Sequence, residues 1–287
     1  MSEKELLSDP SFRNGFALLG INPAKDDRKV FRLFGNNPAW YLAEWWTPFP
    51  FKDAPLIRHE NGYEMENESR RVAVDTADGA LTMELNSEKE YAQLYHGVRT
   101  RVDQGWSHLL IEQNFKEPLL VSSLKGLQAR LQFRVNQCAM FRADEFNPQM
   151  HAAQLLWYIT IREKPLKGDS GLGGNYIWFG LPLFDNRFPF EEPSAFYDIG
   201  NEGSTKKLIY GLGSKTYLPE AVVLGKDYSI SVDILPEVKK AIAFAREHGI
   251  FKSDGDLFVN YMNLGWELPG NFAVSSLIKG LSIKGAL

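Results

Sequence analysis

Strict alternation of apolar and polar residues marks Leu127–Asn136 as an extended strand. Leu127, Ala129, Leu131, Phe133 and Val135 fall on one side, and Gln128, Arg130, Gln132, Arg134 and Asn136 on the other, since strand side chains alternate between faces. Two further runs predict a hairpin, His151–Arg162 and Asn175–Phe184. In the first, Leu155, Trp157, Ile159 and Ile161 share a face opposite Gln154, Leu156, Tyr158, Thr160 and Arg162. In the second, Ile177, Phe179, Leu181 and Leu183 oppose Tyr176, Trp178 and Gly180. One face is apolar enough to be core; the other mixes aromatic rings with hydrogen-bonding groups. Sequential strands often pair, so these three are expected as neighbours. Arg130, Gln132 and Arg134 would then lie beside Gln154, Tyr158 and Trp178.

Shorter strands are expected over Tyr63–Glu66, Arg71–Asp75, Ala80–Leu85, Tyr91–Val102, Trp106–Phe115, Lys206–Leu212, Ala221–Leu224, Asp227–Ile234, Leu257–Trp266 and Phe272–Leu281. Asp78-Gly79 supplies a hairpin turn between two of them. The period changes once. Pro236–His248 predicts a helix, with proline in its first turn, Gly249 at its stop, and Val238, Ala241, Ile242 and Ala245 as the apolar stripe. No repeat, low-complexity stretch or long linker divides the chain. The expectation is a single all-β domain over residues 1–287, an antiparallel jelly-roll or concanavalin-like β-sandwich with one helix near the C-terminus.

Composition adds an aromatic bias: 7 Trp, 11 Tyr and 19 Phe in 287 residues. The segment Asn36–Phe51 alone holds Trp40, Trp45 and Trp46, broken by Pro38, Pro48 and Pro50. Proline cannot donate to a ladder, so this reads as a loop, either a sugar platform with Tyr41 or a plug for the end of the sandwich. The net charge of −4 with no basic block gives no sign of a nucleic-acid partner. The lone Cys138 excludes an internal disulfide and reads as a small buried hydrophobe. No apolar run reaches the roughly 18 residues of a membrane span. The opening MSEKELLSDP lacks a signal-peptide pattern, which fits either a cytoplasmic protein or a mature exported form.

Two short phrases resemble known carbohydrate-active proteins. Asp9-Pro10-Ser11-Phe12-Arg13-Asn14-Gly15, within an expected edge-strand start at Leu6–Phe16, resembles the opening of jelly-roll carbohydrate-binding modules. Arg130-Leu131-Gln132-Phe133-Arg134 and Gln149-Met150-His151 resemble the two active-site phrases of jelly-roll alginate lyases, with Gln132 in place of a glutamate. The resemblance implies that Arg and Gln neutralise a uronate carboxylate while His151 and Tyr158 move protons.

No paired-carboxylate strand motif of a retaining glycosidase occurs. Asp144-Glu145 and Glu191-Glu192 read as solvated loop pairs, whereas Glu112, Glu163 and Glu267 remain possible acid–base partners. The five histidines show no metal-ligand spacing, and Gly171–Gly174 joins two strands and so does not resemble a phosphate loop. Asp254-Gly255-Asp256 is a turn that a structural calcium ion would suit; no catalytic cofactor is expected. The leading expectation is recognition of an oligo- or polysaccharide by a groove of Arg130, Gln132, Arg134, Gln154, Tyr158, Tyr176 and Trp178. The alternatives are a glycan-cleaving enzyme, lyase or hydrolase, and an interaction protein with no sugar site.

Overall fold

The computed structural model describes residues 2–20, 31–32, 37–164, 174–199, 203–252 and 255–287. In chain order the strands are β1 (Glu3–Glu5), β2 (Phe16–Leu18), β3 (Phe31–Arg32), β4 (Trp40–Ala43), β5 (Leu56–His59), β6 (Gly62–Glu66), β7 (Arg70–Asp75) and β8 (Ala80–Asn86). Helix α1 (Ser87–Leu94) follows. Then come β9 (Ser107–Leu120), β10 (Gly126–Met140), β11 (Gln154–Glu163), β12 (Tyr176–Asp185), β13 (Ser194–Tyr197), β14 (Leu208–Gly211) and β15 (Tyr228–Asp233). Helix α2 (Leu235–Glu247), β16 (Leu257–Leu268) and β17 (Phe272–Ala286) complete the chain.

The strands form two sheets. One runs β15-β10-β17-β8-β7-β6-β5, with β1 added to β17; the other runs β13-β14-β12-β11-β16-β9-β4-β2-β3. This is the expected β-sandwich. Among the described residues, two pairings depart from a purely antiparallel layout, since β2 pairs with β4 and β12 with β14 in parallel. The inner faces share one apolar core that joins Leu131 and Phe133 of the first sheet to Trp157, Ile159 and Phe179 of the second. Trp266, fully buried, crosses between the layers and donates its indole N–H to Ser276 Oγ at 2.9 Å. The chain ends meet, with Glu3 opposite Ala286.

The expected hairpin forms with Ile161 opposite Ile177 and Tyr158 opposite Gly180. The Asp78-Gly79 turn joins β7 to β8. Helix α2 buries the four stripe residues and Leu235. Other expectations are corrected. Tyr91–Val102 is not strand: its first residues belong to α1, where the Asn86 side chain accepts the Lys89 N–H and Glu88 and Glu90 occupy the positive first turn. Ala221–Leu224 is irregular. Leu6–Gly15 is a turn between β1 and β2, and the Asp9 carboxylate accepts the N–H groups of Arg13 and Asn14. Trp40 is core, its indole donating to Asp9 O at 2.8 Å. Gly171–Gly173 and Asp254 lie outside the described residues, so the structure does not bear on the glycine-rich connection or the suggested calcium turn.

One end of the sandwich holds a buried ion cluster. The guanidinium of Arg70 is fully buried against Glu90 and lies 3.9 Å from Glu44. Thr47 and Ser69 hydroxyls also bond Glu90, and Phe51 N–H donates to Glu44 at 2.8 Å. One cation thus serves two buried carboxyls. Burial pushes Glu44 up to about 7, against the opposing pull of Arg70 and the Phe51 N–H. Folding therefore takes up a proton at Glu44 between its ordinary 4.5 and about 7, and native stability falls as pH rises through that window. At about 1.36 kcal/mol per pH unit the full effect is about 3 kcal/mol. Urea unfolding of the wild type and of Glu44→Gln across this range should show the wild type losing stability relative to the variant. A constant difference between the two proteins would contradict the assignment.

Candidate functional site

The outer face of the nine-stranded sheet carries the polar and aromatic side chains of the hairpin. On it Gln154 of β11 lies opposite Asp185 of β12 and Glu267 of β16, and Glu267 lies opposite His108 of β9. These four residues form one cross-strand row. Strands sit about 4.8 Å apart, so the backbones of Glu267 and Asp185 are about 10 Å apart with β11 between them. Gln154 Nε2 donates to Asp185 Oδ2 at 2.8 Å. Arg187, just past the end of β12, holds both oxygens of Asp185, at 2.9 and 2.6 Å.

Glu191 comes back from the following loop, its N–H bonded to Ser214 Oγ at 2.9 Å. Its Oε1 is buried without a hydrogen-bond partner. Burial, and then the neighbouring Asp185 carboxylate, push its carboxyl up to about 7. For Asp185, burial also pushes upward, but the bonds from Arg187 outweigh it and leave the group below its ordinary range. Glu191 and Asp185 thus hold one proton between them, and it resides on Glu191. A cavity of about 30 Å³ lined by Asp185, Glu191 and Ser214 adjoins the pair, room for one water. An open cleft of about 400 Å³, lined among others by Asp185, Arg187 and Phe188, lies beside it.

At the other end of the row, His108 Nε2 stands 3.4 Å from Glu267 Oε2, to which Trp106 Nε1 donates at 3.1 Å. Burial pushes Glu267 up, but the charge and bond of His108 and the bond of Trp106 bring it below the ordinary range. Glu267 is therefore ionised where Glu191 is protonated.

Two glycines allow close approaches on this face. Gly180 leaves room for the Tyr158 ring, which a Cβ there would approach to 2.7 Å. Gly265, at φ +158°, packs against β9 so closely that a Cβ would meet Leu109 O at 2.1 Å. Tyr158, Tyr176, Trp178 and Tyr261 then cluster edge to face, separate from the sandwich core.

The structure divides the residues expected from sequence. Gln154, Tyr158, Tyr176 and Trp178 share the outer face as expected, but Trp178 and Tyr176 are buried. The indole of Trp178 bonds Thr205 Oγ1, and the Lys207 ammonium lies over the Tyr176 ring. Within the row and the aromatic cluster, Gln154, Tyr158 and Glu267 are partly exposed. Arg130, Gln132 and Arg134 are not neighbours of the hairpin. Strand β10 runs between β15 and β17 in the other sheet, and its apolar side faces the shared core, so these three side chains lie on the opposite outer surface of the sandwich.

The lyase-like phrase is separated for the same reason. His151 is buried, donating from Nε2 to Arg99 O at 2.7 Å and accepting the Asn147 N–H at Nδ1 at 3.1 Å. Both ring nitrogens are committed to the backbone. Burial, with Glu267, Asp198 and Glu191 nearby, raises the Tyr158 phenol well above its ordinary range, so it stays protonated and does not serve as a base.

His108, Asp185 and Glu191 were missed as site residues, and Glu191 is not the solvated loop residue its doublet suggested. Glu267 was one of three candidates without geometry. Of the other two, Glu112 is on this face opposite Asn263, while Glu163 accepts the Lys252 N–H elsewhere. Among the described residues, no group of three His, Cys, Asp or Glu could hold a metal ion. No helix among them is long and apolar enough to cross a membrane.

No family model matches the sequence, and no curated protein matches it. Solved structures similar to the chain include a family 12 xyloglucanase from Bacillus licheniformis, at 9% identity, over 85% of this chain and 100% of that one, with a TM-score of 0.46. A thermostable cellulase derived from Cel12A of Rhodothermus marinus gives 12%, 86%, 100% and 0.43 on the same measures. The xyloglucanase domain of the effector NopAA from Sinorhizobium fredii, in complex with cellobiose, gives 12%, 81%, 96% and 0.40.

The two outer faces should respond oppositely to truncation. Trp178→Ala removes a buried ring from its cluster and should cost about 3 kcal/mol or more. Arg130→Ala changes an exposed side chain and should stay within about 0.5 kcal/mol. Guanidinium unfolding measures both; a neutral Trp178→Ala would show that the aromatic cluster does not hold the face together.

Proposed function

We propose that the protein hydrolyses a glycosidic bond of an oligo- or polysaccharide at the Gln154 row. The observation that supports this reading is the opposed state of two carboxyl groups on one face: below about pH 7 Glu267 is held ionised while Glu191 keeps its proton. Pairs of carboxyls pushed apart in this way mark acid and base assignments. Glycoside hydrolysis needs such a pair across the scissile bond.

In this reading Glu191 gives its proton to the leaving glycosidic oxygen. The Asp185 carboxylate beside it, kept ionised by Arg187, raises the affinity of Glu191 for that proton in the resting state. Glu267 acts from the far side of β11, on the anomeric carbon or on a water that attacks it. Gln154 lies between them, already oriented by its bond to Asp185. Tyr158, protonated and half-exposed, offers a ring edge and a hydroxyl to the sugar. The lyase alternative lacks support from this geometry. Its basic strand and His151 are apart, and the Arg187 guanidinium beside this row already faces Asp185.

The test is reducing-sugar release from a panel of neutral and acidic glycans. Glu191→Gln and Glu267→Gln should each lower kcat/KM at least about 10²-fold on whichever substrate is cleaved, with the fold intact by circular dichroism. Activity of the wild type should decline as pH rises through about 7, where Glu191 loses its proton. Release of unsaturated ends, or full activity in both variants, would overturn the reading. The anomer first formed, read by proton NMR, distinguishes attack by Glu267 from attack by water.

A further inference from the structure

Outside the acid–base pair, the most constrained ionisable group near the row is His108. Its Nδ1 lies 2.7 Å from the carbonyl oxygen of Trp106. A carbonyl only accepts, so Nδ1 carries a proton. The second nitrogen, Nε2, faces Glu267 Oε2 at 3.4 Å. In a neutral ring with Nδ1 protonated, Nε2 would turn a lone pair toward a carboxylate. An imidazolium turns a proton there instead. The ring has little freedom to choose another pose, because Trp106 stacks on it at 5.5 Å and Trp45 meets it edge-on at 5.3 Å. Its backbone is tied as well: the N–H bonds Trp45 O at 3.2 Å, and the carbonyl accepts from the buried Arg70 at 3.3 Å.

We infer that His108 is a positioning residue held as an imidazolium, which with the Trp106 indole clamps Oε2 of Glu267 and leaves Oε1 for the reacting atom. The inference rests on the proposed role of Glu267, but its electrostatic half is independent of any substrate. Among the described residues, few other charged or titratable groups share the face of Glu267, and on β9 there is Glu112, opposite Asn263. From β11 there is Tyr158, which stays protonated. Farther along the row are Glu191, protonated, and Asp185, neutralised by Arg187. Arg99 sits over the Trp106 ring at 5.0 Å, and Arg70 of the Glu44–Arg70–Glu90 cluster bonds the His108 carbonyl. His108 is the cation that touches the carboxylate.

The contrast with His151 is instructive. That ring also donates to a carbonyl, but its second nitrogen accepts a backbone N–H. The partner of the second nitrogen differs: a backbone N–H donor at His151 and a carboxylate at His108.

The test is a carbon-13 NMR titration of the Glu side-chain carboxyls in the full-length protein. The Glu267 signal is assigned by its loss in Glu267→Gln. In the wild type it should titrate below the ordinary glutamate range. In His108→Gln, which keeps a hydrogen-bonding side chain without the charge, its midpoint should rise by about one pH unit or more. Trp106→Phe keeps the stacked ring and removes the indole donor, and should give a smaller rise. An unchanged midpoint in His108→Gln, with the fold intact, overturns the inference even if glycans are cleaved. A raised midpoint in a protein that cleaves no glycan sustains the clamp and sinks only the proposed function. If activity is present, the acid limb of the wild-type pH profile should move upward in His108→Gln by the same interval as the NMR midpoint.

Discussion

Along β12, nine of the ten residues from Tyr176 to Asp185 are buried, though only every second one points into the sandwich core. The outer face of this sheet is covered as well, and that double burial governs the chemistry of the molecule. A polar group placed on such a face must find a partner within the protein. Thr160 bonds Asn260 at 2.7 Å, Trp178 bonds Thr205, and Gln154 bonds Asp185. Of the carboxyl groups in the row, Asp185 takes the Arg187 guanidinium, Glu267 takes the His108 ring and the Trp106 indole, and Glu191 retains a proton. The opposed protonation states follow from burial first and from the choice of partner second.

The row is also fixed from behind. Glu44 directly precedes Trp45, whose carbonyl receives the His108 N–H, and Arg70 reaches from the ion cluster to the His108 carbonyl. The cluster at the sandwich end and the clamp on Glu267 are therefore adjacent parts of one polar structure. Buried ion clusters of this type contribute little net stability against apolar packing. Here the geometry shows what the cluster holds in place, namely the strand that carries His108.

Much of the fold was legible from alternation. The period-2 runs at Leu127–Asn136, His151–Arg162 and Asn175–Phe184 each place the right side chains on the core, and the stripe of α2 is buried as the 3.6-residue period requires. Helix α1 was missed because Ser87–Leu94 is short and its apolar content low, so its mark lay in the Asn86 cap and the acidic first turn. The site was less legible, and the reason is topological. Alternation assigns a residue to a face of its own strand, and it does not say which sheet the strand joins. Arg130 and Tyr158 both lie on outer faces, but of different sheets. The row Glu267–Gln154–Asp185 brings the last strands of the chain beside its middle, a pairing that no local pattern encodes. Glu191 joins it from a loop whose acidic doublet looks like any solvated turn.

The distribution of protons along the row is measured directly by neutron diffraction of deuterated crystals grown slightly below neutral pH. Deuterium on the Glu191 carboxyl and on both ring nitrogens of His108, with Glu267 and Asp185 bare, is the predicted result. A bare Glu191 beside a deuterated Asp185, or a His108 ring carrying deuterium on Nδ1 alone, would contradict it.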